Sequence, residues 1–510
     1  MVVSTVAWYL LYFLAAYVVW HVLIWPCLVL VISPMRALPG PTPLPVVGTL
    51  YRLKKKTNGQ SNILDLVRDW VARDSRMYCV WNGPRPAVVL CHPDTMSVVL
   101  RSSVSVSKGA VYDTIRPWLG NGLLVARGAA WHARRKLLTH AFHFSILKQS
   151  HDVVARNAAI LIGKLADARS GEPAAYLDLA PFISRCTLDI ICEAAMNEKV
   201  NVQDAADSPY LAAVHEASTL MFQRILSPWY APGFLNGLLY KFSKLKVQTD
   251  AVLGTLHTFT NSVIASRKAM LAAHPLSPDD AHVFLDLLLA VRDEDGAGLT
   301  DREIREEVDT FMFEGHDTTS ASIAWTLHLL SLHREWADAV FNELAAAPSF
   351  ATHTATGTAT PWIPSERELG SFRALHNVIC ESHRLYPPVP FVSRQTAEDH
   401  VVDGFRIPSG SNVSLNIYAL HHNPTVWPDP ERFDPSRFES PLSSPFAHIP
   451  FSAGSRNCIG RKFAEREVTT LVAAVVAAYH LAADPHHDPY PRPDLILRPA
   501  NGLRVKLTPR

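Results

Sequence analysis

A single cysteine in a tight loop offers the most distinctive chemistry in this chain of 510 residues. Cys458 lies in residues 450–460, PFSAGSRNCIG, immediately before a long helical pattern. At a helix N-terminus, the helix dipole and the free N–H groups stabilise a thiolate. A thiolate with no second cysteine or histidine beside it suits a metal that already has other ligands, and haem iron is such a metal. The alternative is a buried free cysteine, the commonest fate of a lone thiol.

Three polar residues at helical spacing form a second group. Glu314, Asp317 and Thr318 stand at i, i+3 and i+4, so that we expect them on one face of a helix. A hydroxyl that orders water, next to a carboxylate that relays protons, suits proton delivery to dioxygen. The alternative is a solvated acidic face, but the three residues before Glu314 are Phe-Met-Phe and make its surroundings apolar.

Helical periodicity must position both groups, because it dominates the chain beyond residue 50. The sequence predicts helices over residues 131–147, 153–168, 179–196, 247–271, 301–332, 336–347, 374–385 and 461–482. It predicts short strands over residues 77–81, 87–91, 391–396 and 405–407, the first two joined by a hairpin around Asn82-Gly83. Residues 274–282 and 345–364 are predicted to be loops outside the core. The fold class is therefore mainly α with small β-sheets.

The N-terminal region has the composition of a membrane anchor. Between Val6 and Ile32 there is no charged residue, and a helix of that length exceeds the ~30 Å hydrocarbon core. A cleaved signal peptide is the alternative, but no Lys or Arg precedes the run, and the run is long for one. The first basic residues follow the run, which predicts a cytosolic location for the rest. We expect an anchor over residues 1–33, a proline-rich linker over 34–50 and one large domain over 51–510.

Charge and cysteine content exclude several classes of protein. The chain has 48 Lys+Arg and 47 Asp+Glu, a net charge of +1, which argues against nucleic-acid binding. It has seven cysteines, an odd number, and no CxxC spacing, so that both a disulfide scaffold and a zinc ribbon are disfavoured. At least one thiol must remain unpaired within the chain.

The cysteine loop closely resembles the haem-binding loop of the cytochrome P450 superfamily. The shared pattern is Phe451-x-x-Gly454-x-Arg456-x-Cys458-x-Gly460. The resemblance implies the cytochrome P450 fold, a haem b cofactor and Cys458 as the axial ligand of its iron. It further implies that Arg456 pairs with a haem propionate, a role that suits the planar guanidinium.

Two further segments resemble haem-pocket elements of the superfamily. Trp131 and Arg135, at i,i+4, are similar to the helix that binds haem propionates. The segment around Glu314 resembles the oxygen-activating helix, and this implies proton-delivery roles for Asp317 and Thr318.

A third resemblance concerns a structural lock behind the haem. Glu381 and Arg384 offer an i,i+3 ion pair within one helix. They resemble the superfamily's Glu-x-x-Arg, which implies that Arg432 completes the lock. His383 departs from this pattern, because the superfamily usually has leucine there, and the sequence gives no physical account of the change.

The residue at position 314 narrows the resemblance to family 4, the fatty-acid ω-hydroxylases. Phe-Glu-Gly-His-Asp-Thr-Thr is typical of that family, in many of whose members this glutamate is esterified to a haem methyl. An ester would neutralise a carboxylate that is costly to bury. The resemblance implies a membrane-bound monooxygenase that hydroxylates medium-chain and long-chain fatty acids at the ω position.

The same resemblance implies the partners and the location. Electrons would come from NADPH through cytochrome P450 reductase, with cytochrome b5 as a second candidate donor, and the enzyme would sit in the endoplasmic reticulum membrane. Arg456, Arg461 and Lys462 near the loop are expected to contribute to a basic docking face. Two alternatives remain: a terpenoid, steroid or xenobiotic substrate, and a haem-binding sensor without turnover.

Overall fold

The computed structural model describes most of the chain from residue 24 onward. The described residues are 8, 12, 15, 16, 19, 20, 24–54, 61–141, 144–171, 174–205, 207–230, 234–275, 283–292, 298–357 and 360–510.

Helices make up most of the described part, and short strands interrupt them. The helices are α1 (Trp25–Ile32), α2 (Ile63–Arg73), α3 (Pro93–Leu100), α4 (Arg116–Leu119), α5 (Gly128–Ala141), α6 (Phe144–Gly171), α7 (Ala180–Met196), α8 (Pro209–Leu226), α9 (Phe234–Lys241), α10 (Lys244–Ala273), α11 (Phe284–Ala290), α12 (Asp301–Leu332), α13 (Arg334–Ala345), α14 (Pro348–Thr356), α15 (Arg373–Leu385), α16 (Ile417–His421) and α17 (Arg461–Ala478). The strands are β1 (Met77–Asn82), β2 (Arg85–Leu90), β3 (Leu177–Asp178), β4 (Phe391–Gln395), β5 (His400–Val402), β6 (Phe405–Ile407), β7 (Asn412–Asn416), β8 (Tyr479–Ala483), β9 (Pro491–Pro493), β10 (Leu497–Pro499) and β11 (Arg504–Pro509).

The long helix α12 is the axis of the core. A capping box begins it: the Thr300 side chain accepts from the Glu303 N–H, and the Glu303 carboxylate accepts from the Thr300 N–H. Apolar side chains occur all round the helix rather than on one stripe, which is the pattern of a buried helix. It packs against α7, α10, α15 and α17 in the main hydrophobic core.

Among the described residues, four small sheets flank the helices. The largest has the strand order β1-β2-β7-β4, in which β2 and β7 are parallel and the other pairs are antiparallel. The β1–β2 turn contains Gly83 at φ +58°, a conformation that glycine adopts without steric cost. The other sheets are β3-β11-β8, β9-β10 and β5-β6.

The predicted fold class is confirmed as mainly helical with small sheets. Several boundaries differ from the prediction. The predicted helix 131–147 is divided, because α5 ends at Ala141 and α6 begins at Phe144, nine residues before the predicted helix at 153. At the C-terminal end, α17 stops at Ala478, because the chain continues as β8. The predicted loop 345–364 contains α14. The sequence did not predict α8, whose N-cap Ser208 accepts from Leu211 N. Most of the predicted loop 274–282 lies outside the described residues.

In the part of the chain that the structure describes, no helix has the length and apolarity to cross a membrane. Much of the run from Val6 to Ile32 lies outside that part, and α1 is its described end.

The proline-rich segment packs onto the β1–β2 hairpin rather than standing apart as a spacer. Met35 and Leu38 are buried in the same hydrophobic cluster as that hairpin. The N–H of Cys79 in β1 donates to the carbonyl oxygen of Pro39 at 2.7 Å.

Candidate functional site

A cavity of about 530 Å³ lies between α12 and the cysteine loop. Most of the residues predicted for the site line this cavity. They are Trp131, Arg135, Glu314, Thr318, Phe451, Arg456, Cys458 and Gly460. The structure therefore brings together segments that are more than 300 residues apart in the chain.

The loop that holds Cys458 is fixed by its own main chain. The Cys458 N–H donates to the carbonyl oxygen of Phe451 at 3.0 Å, and the Ser452 N–H donates to Ile449 at 2.9 Å. Gly454 has φ +72°, and a Cβ there would come within 2.1 Å of the Leu100 carbonyl oxygen at the end of α3. Position 454 therefore requires glycine for steric reasons, although it does not line the cavity.

The surrounding protein does not by itself stabilise Cys458 as a thiolate, because it raises the pKa of the thiol. Burial raises the pKa of this thiol to about 12, the nearby Glu314 raises it further, and a backbone hydrogen bond from Gly460 lowers it. The Gly460 N–H, at the start of α17, thus favours the thiolate, but burial outweighs it. A metal cation at the sulfur would reverse this balance, because a coordinating thiol is deprotonated.

Four cationic side chains surround one end of the cavity. Lys108, Arg135, Arg394 and Arg456 all line it, and three of them are at most 9% exposed. Their described hydrogen bonds go to main-chain oxygens, to the Asn457 side chain and to a tyrosine hydroxyl rather than to carboxylates.

Burial weakens the charged form of each of these cations. It lowers the pKa of Lys108 well below its ordinary value, and the like charges of Arg394 and Arg456 lower it further. Burial also lowers the pKa of Arg456 to about 9. Glu314 lies near enough to Lys108 to interact with its charge, but none of the four cations has a described hydrogen bond to a carboxylate. Buried cations of this kind are costly, and two haem propionates would compensate them. The donor set therefore fits a haem with Cys458 on its iron.

Three residues predicted to contact the propionates, Trp131, Arg135 and Arg456, line the cavity. Arg456 donates to the carbonyl oxygens of Val106, Leu123 and Ala126, and its guanidinium lies 4.0 Å from the centre of the Trp131 ring. Arg135 donates to the carbonyl and side-chain oxygens of Asn457. Because Arg456 is buried and faces inward, it cannot contribute to the basic docking face for which it was predicted.

Glu314 and Thr318 share the cavity face of α12. Burial raises the pKa of Glu314 to about 7, while the nearby Lys108 lowers it. A carboxyl with that pKa is partly protonated near neutral pH. The Thr318 hydroxyl donates to the carbonyl oxygen of Glu314 at 2.8 Å, which leaves its oxygen able to accept from a water.

Asp317 does not share that face, and this corrects the prediction of a common acidic face. It is fully buried outside the cavity lining and is paired with Arg498 of β10. Arg498 Nε donates to Oδ1 at 2.7 Å, and Nη2 donates to Oδ2 and to the Ser218 hydroxyl. Burial alone would raise the pKa of Asp317, but Arg498 outweighs it and lowers that pKa. Asp317 is therefore an ionised, clamped carboxylate beside Thr318.

Gly315 has a reason in helix packing. A Cβ on it would come within 2.5 Å of the Ile191 side chain of α7. Close approach of α12 to α7 therefore requires a residue without a side chain at this position.

The predicted lock is present, with one change of partner. Glu381 and Arg384 are fully buried and form a bidentate pair, with Nε–Oε2 at 2.7 Å and Nη2–Oε1 at 2.8 Å. Arg384 also donates to the main-chain oxygen of Arg432 at 3.0 Å. The second guanidinium at Glu381 belongs to Arg437, at 3.4 Å, whereas the side chain of Arg432 is exposed. Arg432 therefore contributes its carbonyl and not its charge.

Sequence reasoning missed three residues of the site and its surroundings. Lys108 and Arg394 line the cavity, and Arg394 is the one charged residue of a predicted strand, which was a usable signal. Glu467 of α17 is fully buried beside Thr319, and burial raises its pKa well above the ordinary value. Nothing in the sequence around Lys108 or Glu467 marks either residue as part of the site.

Comparison with known proteins agrees with this geometry. A family model described as Cytochrome P450 matches residues 38–507. "Cytochrome P450 4c3" of Drosophila melanogaster is 38% identical over 93% of this chain and 90% of its own length. "Cytochrome P450 4V2" of Homo sapiens is 37% identical over 92% of this chain and 90% of its own length. The chain belongs to the cytochrome P450 family, and it is a haem-dependent monooxygenase.

Proposed function

We propose that this enzyme hydroxylates medium-chain and long-chain fatty acids at the ω position. The observation that supports this most directly is Glu314 on the cavity face of α12, within a segment typical of family 4. The relatives named above carry the same family number. A shared fold alone would not distinguish substrates, so that the proposal depends on this residue and on the cavity.

The cavity offers an apolar path for an acyl chain. Part of its lining comes from side chains of the segment before α2, of the end of α8 and of the segment before β10. These side chains are Leu50, Leu53, Phe222, Ile225, Leu226 and Ile496. Burying apolar surface against such walls gives about 0.8 kcal/mol per CH₂ group, so that a long chain gains affinity with its length. Glu314 would stand near the reacting end and restrict it to the terminal methyl.

The residues of this chain have separable roles in the proposed reaction. When bound, the haem supplies the redox chemistry that splits dioxygen and inserts one oxygen atom into a C–H bond. Cys458 would bind the iron, while Lys108, Arg135, Arg394 and Arg456, which line the same cavity, would hold the propionates. Thr318 orders a water in the cavity, and Asp317 passes protons towards it whenever Arg498 releases one carboxylate oxygen.

Reconstitution with a panel of substrates tests the proposal. The full chain with cytochrome P450 reductase and NADPH is expected to return ω-hydroxylated products from medium-chain and long-chain fatty acids. The same preparation receives a steroid, a terpenoid and a xenobiotic. Turnover of one of these, with every fatty acid recovered unchanged, would replace the proposed substrate class by that alternative. Haem binding without any turnover would support the sensor.

Glu314 is proposed to form an ester with a haem methyl, because the ester would neutralise a carboxyl that burial already drives towards protonation. One methyl C–H bond and the carboxyl O–H bond would be broken, and one dioxygen and one NADPH of the enzyme's own turnover would be consumed with release of two waters. After turnover and acid denaturation, mass spectrometry should find haem attached to the peptide that contains Glu314. Glu314→Ala should release all of its haem. Glu467→Gln is the matched control, since it changes a buried acid outside the cavity lining and should keep the attached fraction. Complete release of unmodified haem from the parent enzyme would refute the ester.

We also propose that the enzyme is anchored in the endoplasmic reticulum membrane and takes electrons from cytochrome P450 reductase, with cytochrome b5 as a second donor. The uncharged run from Val6 to Ile32 supports the anchor. Arg461, which is exposed near the cysteine loop, supports an acidic partner there. The reconstituted preparation tests the anchor, because the chain should remain with membranes after an alkaline wash, and a chain beginning at residue 34 should be released more readily.

A further inference from the structure

The structure gives His383 a specific environment between α12 and the cysteine loop. It lies in α15 between Ser382 and Arg384, and only 5% of it is exposed. Its side chain lines the haem cavity, whereas the neighbouring Arg384 points into the lock. The imidazole therefore occupies a wall of the site that the lock itself does not reach.

The imidazole is hydrogen-bonded to α12, the helix that carries Thr318. His383 Nε2 lies 2.6 Å from the hydroxyl oxygen of Ser322. Ser322 is one helical turn beyond Thr318 on α12, and it lines the same cavity. Burial lowers the pKa of His383 to about 4, so that the ring is neutral at physiological pH and makes an ordinary hydrogen bond.

The same imidazole contacts the loop that holds the iron ligand. Its ring stands edge-on to the ring of Phe451, with centroids 5.7 Å apart and an interplanar angle of 85°. Phe451 provides the carbonyl oxygen that accepts from the Cys458 N–H. Fixing Phe451 therefore fixes one end of the hydrogen bond that holds the cysteine main chain.

The main chain of His383 makes a second connection to the loop. His421 Nδ1 donates to the His383 carbonyl oxygen at 3.2 Å, and His421 Nε2 accepts from the N–H of Ile449 at 3.1 Å. This connection does not involve the His383 side chain. A substitution at position 383 therefore removes only the contacts with Ser322 and Phe451, and the loop entrance remains attached.

We propose that His383 is a positioning residue that couples α12 to the cysteine loop. Ser322 fixes the imidazole, the imidazole fixes Phe451, and Phe451 fixes the main chain that positions Cys458. Leucine at this position would fill similar space but would form no hydrogen bond with Ser322. In this chain α12 and the cysteine loop are thus joined through one hydrogen bond and one aromatic contact.

The test uses the full-length holoenzyme and follows the state of its iron ligand rather than its activity. In the reduced-CO difference spectrum, thiolate-ligated haem converts with time into the form whose ligand is lost or protonated. His383→Leu and Ser322→Ala should each accelerate this conversion about threefold to tenfold, as expected for the loss of one buried hydrogen bond. The double variant should be no faster than the faster single variant, because both changes break the same link.

A neighbouring pair between the same helices provides the matched control. The Thr326 hydroxyl donates to the Ser382 hydroxyl at 3.0 Å, is fully buried and lies one turn further along α12, and neither residue lines the cavity. Ser382→Ala also removes a buried hydrogen bond, but one that does not connect α12 to Phe451. It should therefore leave the conversion rate within about twofold of the parent.

Three results would overturn the coupling. Conversion rates of His383→Leu and Ser322→Ala equal to that of the parent would show that the link does not hold the ligand. Equal acceleration by Ser382→Ala would show a general effect of helix packing. Additive acceleration in the double variant would show that the two residues act independently. If His383→Leu fails to fold, Ser322→Ala and its control still decide the question.

Discussion

Cys458→Ser is expected to abolish monooxygenase activity and to remove the thiolate signature from the reduced-CO difference spectrum. A serine hydroxyl does not ionise in the pH range in which a metal-bound thiol does, so that the iron would lose its anionic protein ligand. Changing residues that merely support a metal ligand typically costs about 10–100-fold in affinity or activity, and loss of the ligand itself should cost more. The measurement is the spectrum, followed by turnover in the reconstituted system.

The chain offers a suitable control for this substitution. All seven cysteines are free, and Cys458 is the one among them that lines the described cavity. Cys380 is only partly buried, and its sulfur lies 3.5 Å from His376 Nε2, away from the cavity lining. Cys380→Ser should keep the thiolate spectrum. A thiolate spectrum that survives in Cys458→Ser, or that is lost in Cys380→Ser, would assign the iron to a different residue.

Local spacing predicted those parts of the site that belong to one segment. Cys458 with its flanking glycines, the Glu381–Arg384 pair, and Glu314 with Thr318 each lie within a few residues, and the geometry of one helix or loop decides where they point. Helical periodicity likewise predicted the long buried α12 with its observed ends. Its capping box is encoded in four consecutive residues, which is why both the start and the content of this helix were readable.

The missed features depend on partners far away in the chain. Asp317 leaves the cavity because Arg498, 181 residues later, pairs with it. Arg437 rather than Arg432 reaches Glu381, because the chain folds back after Pro435 in a way that the motif does not specify. Lys108 and Arg394 become site residues only because an isolated bridge joins their segments. No periodicity within a window of the sequence contains such pairings.

Asp317→Asn is expected to lower the free energy of unfolding by about 3–5 kcal/mol, because it leaves the buried Arg498 guanidinium without its carboxylate. It should also reduce the product formed per NADPH consumed, because an amide beside Thr318 cannot take up and release a proton. The two effects are measured separately, the first by chemical denaturation and the second by comparing NADPH oxidation with product and hydrogen peroxide.

The lowered pKa of Asp317 also predicts how the free energy of unfolding depends on pH. Arg498 lowers the pKa of Asp317 in the folded state below its ordinary value. The ionised carboxylate therefore stabilises the fold above the ordinary pKa of an aspartate, and this stabilisation is lost as the pH falls towards the lowered folded-state pKa. Asp317→Asn should lack this contribution, so that its stability declines less than that of the parent over the same acidic range.

A second buried pair separates the structural role of Asp317 from its proposed catalytic role. Arg267 of α10 and Asp286 of α11 form a bidentate pair with distances of 2.6 and 2.7 Å, and neither lines the cavity. Asp286→Asn should destabilise the fold by a similar amount and leave the product formed per NADPH unchanged. If both variants lose stability and neither forms less product per NADPH, Asp317 is a structural counter-ion of Arg498, and the proton must reach Thr318 from another acid. If only Asp317→Asn forms less product per NADPH, the carboxylate next to Thr318 belongs to the proton path even though it is paired with Arg498 in this structure.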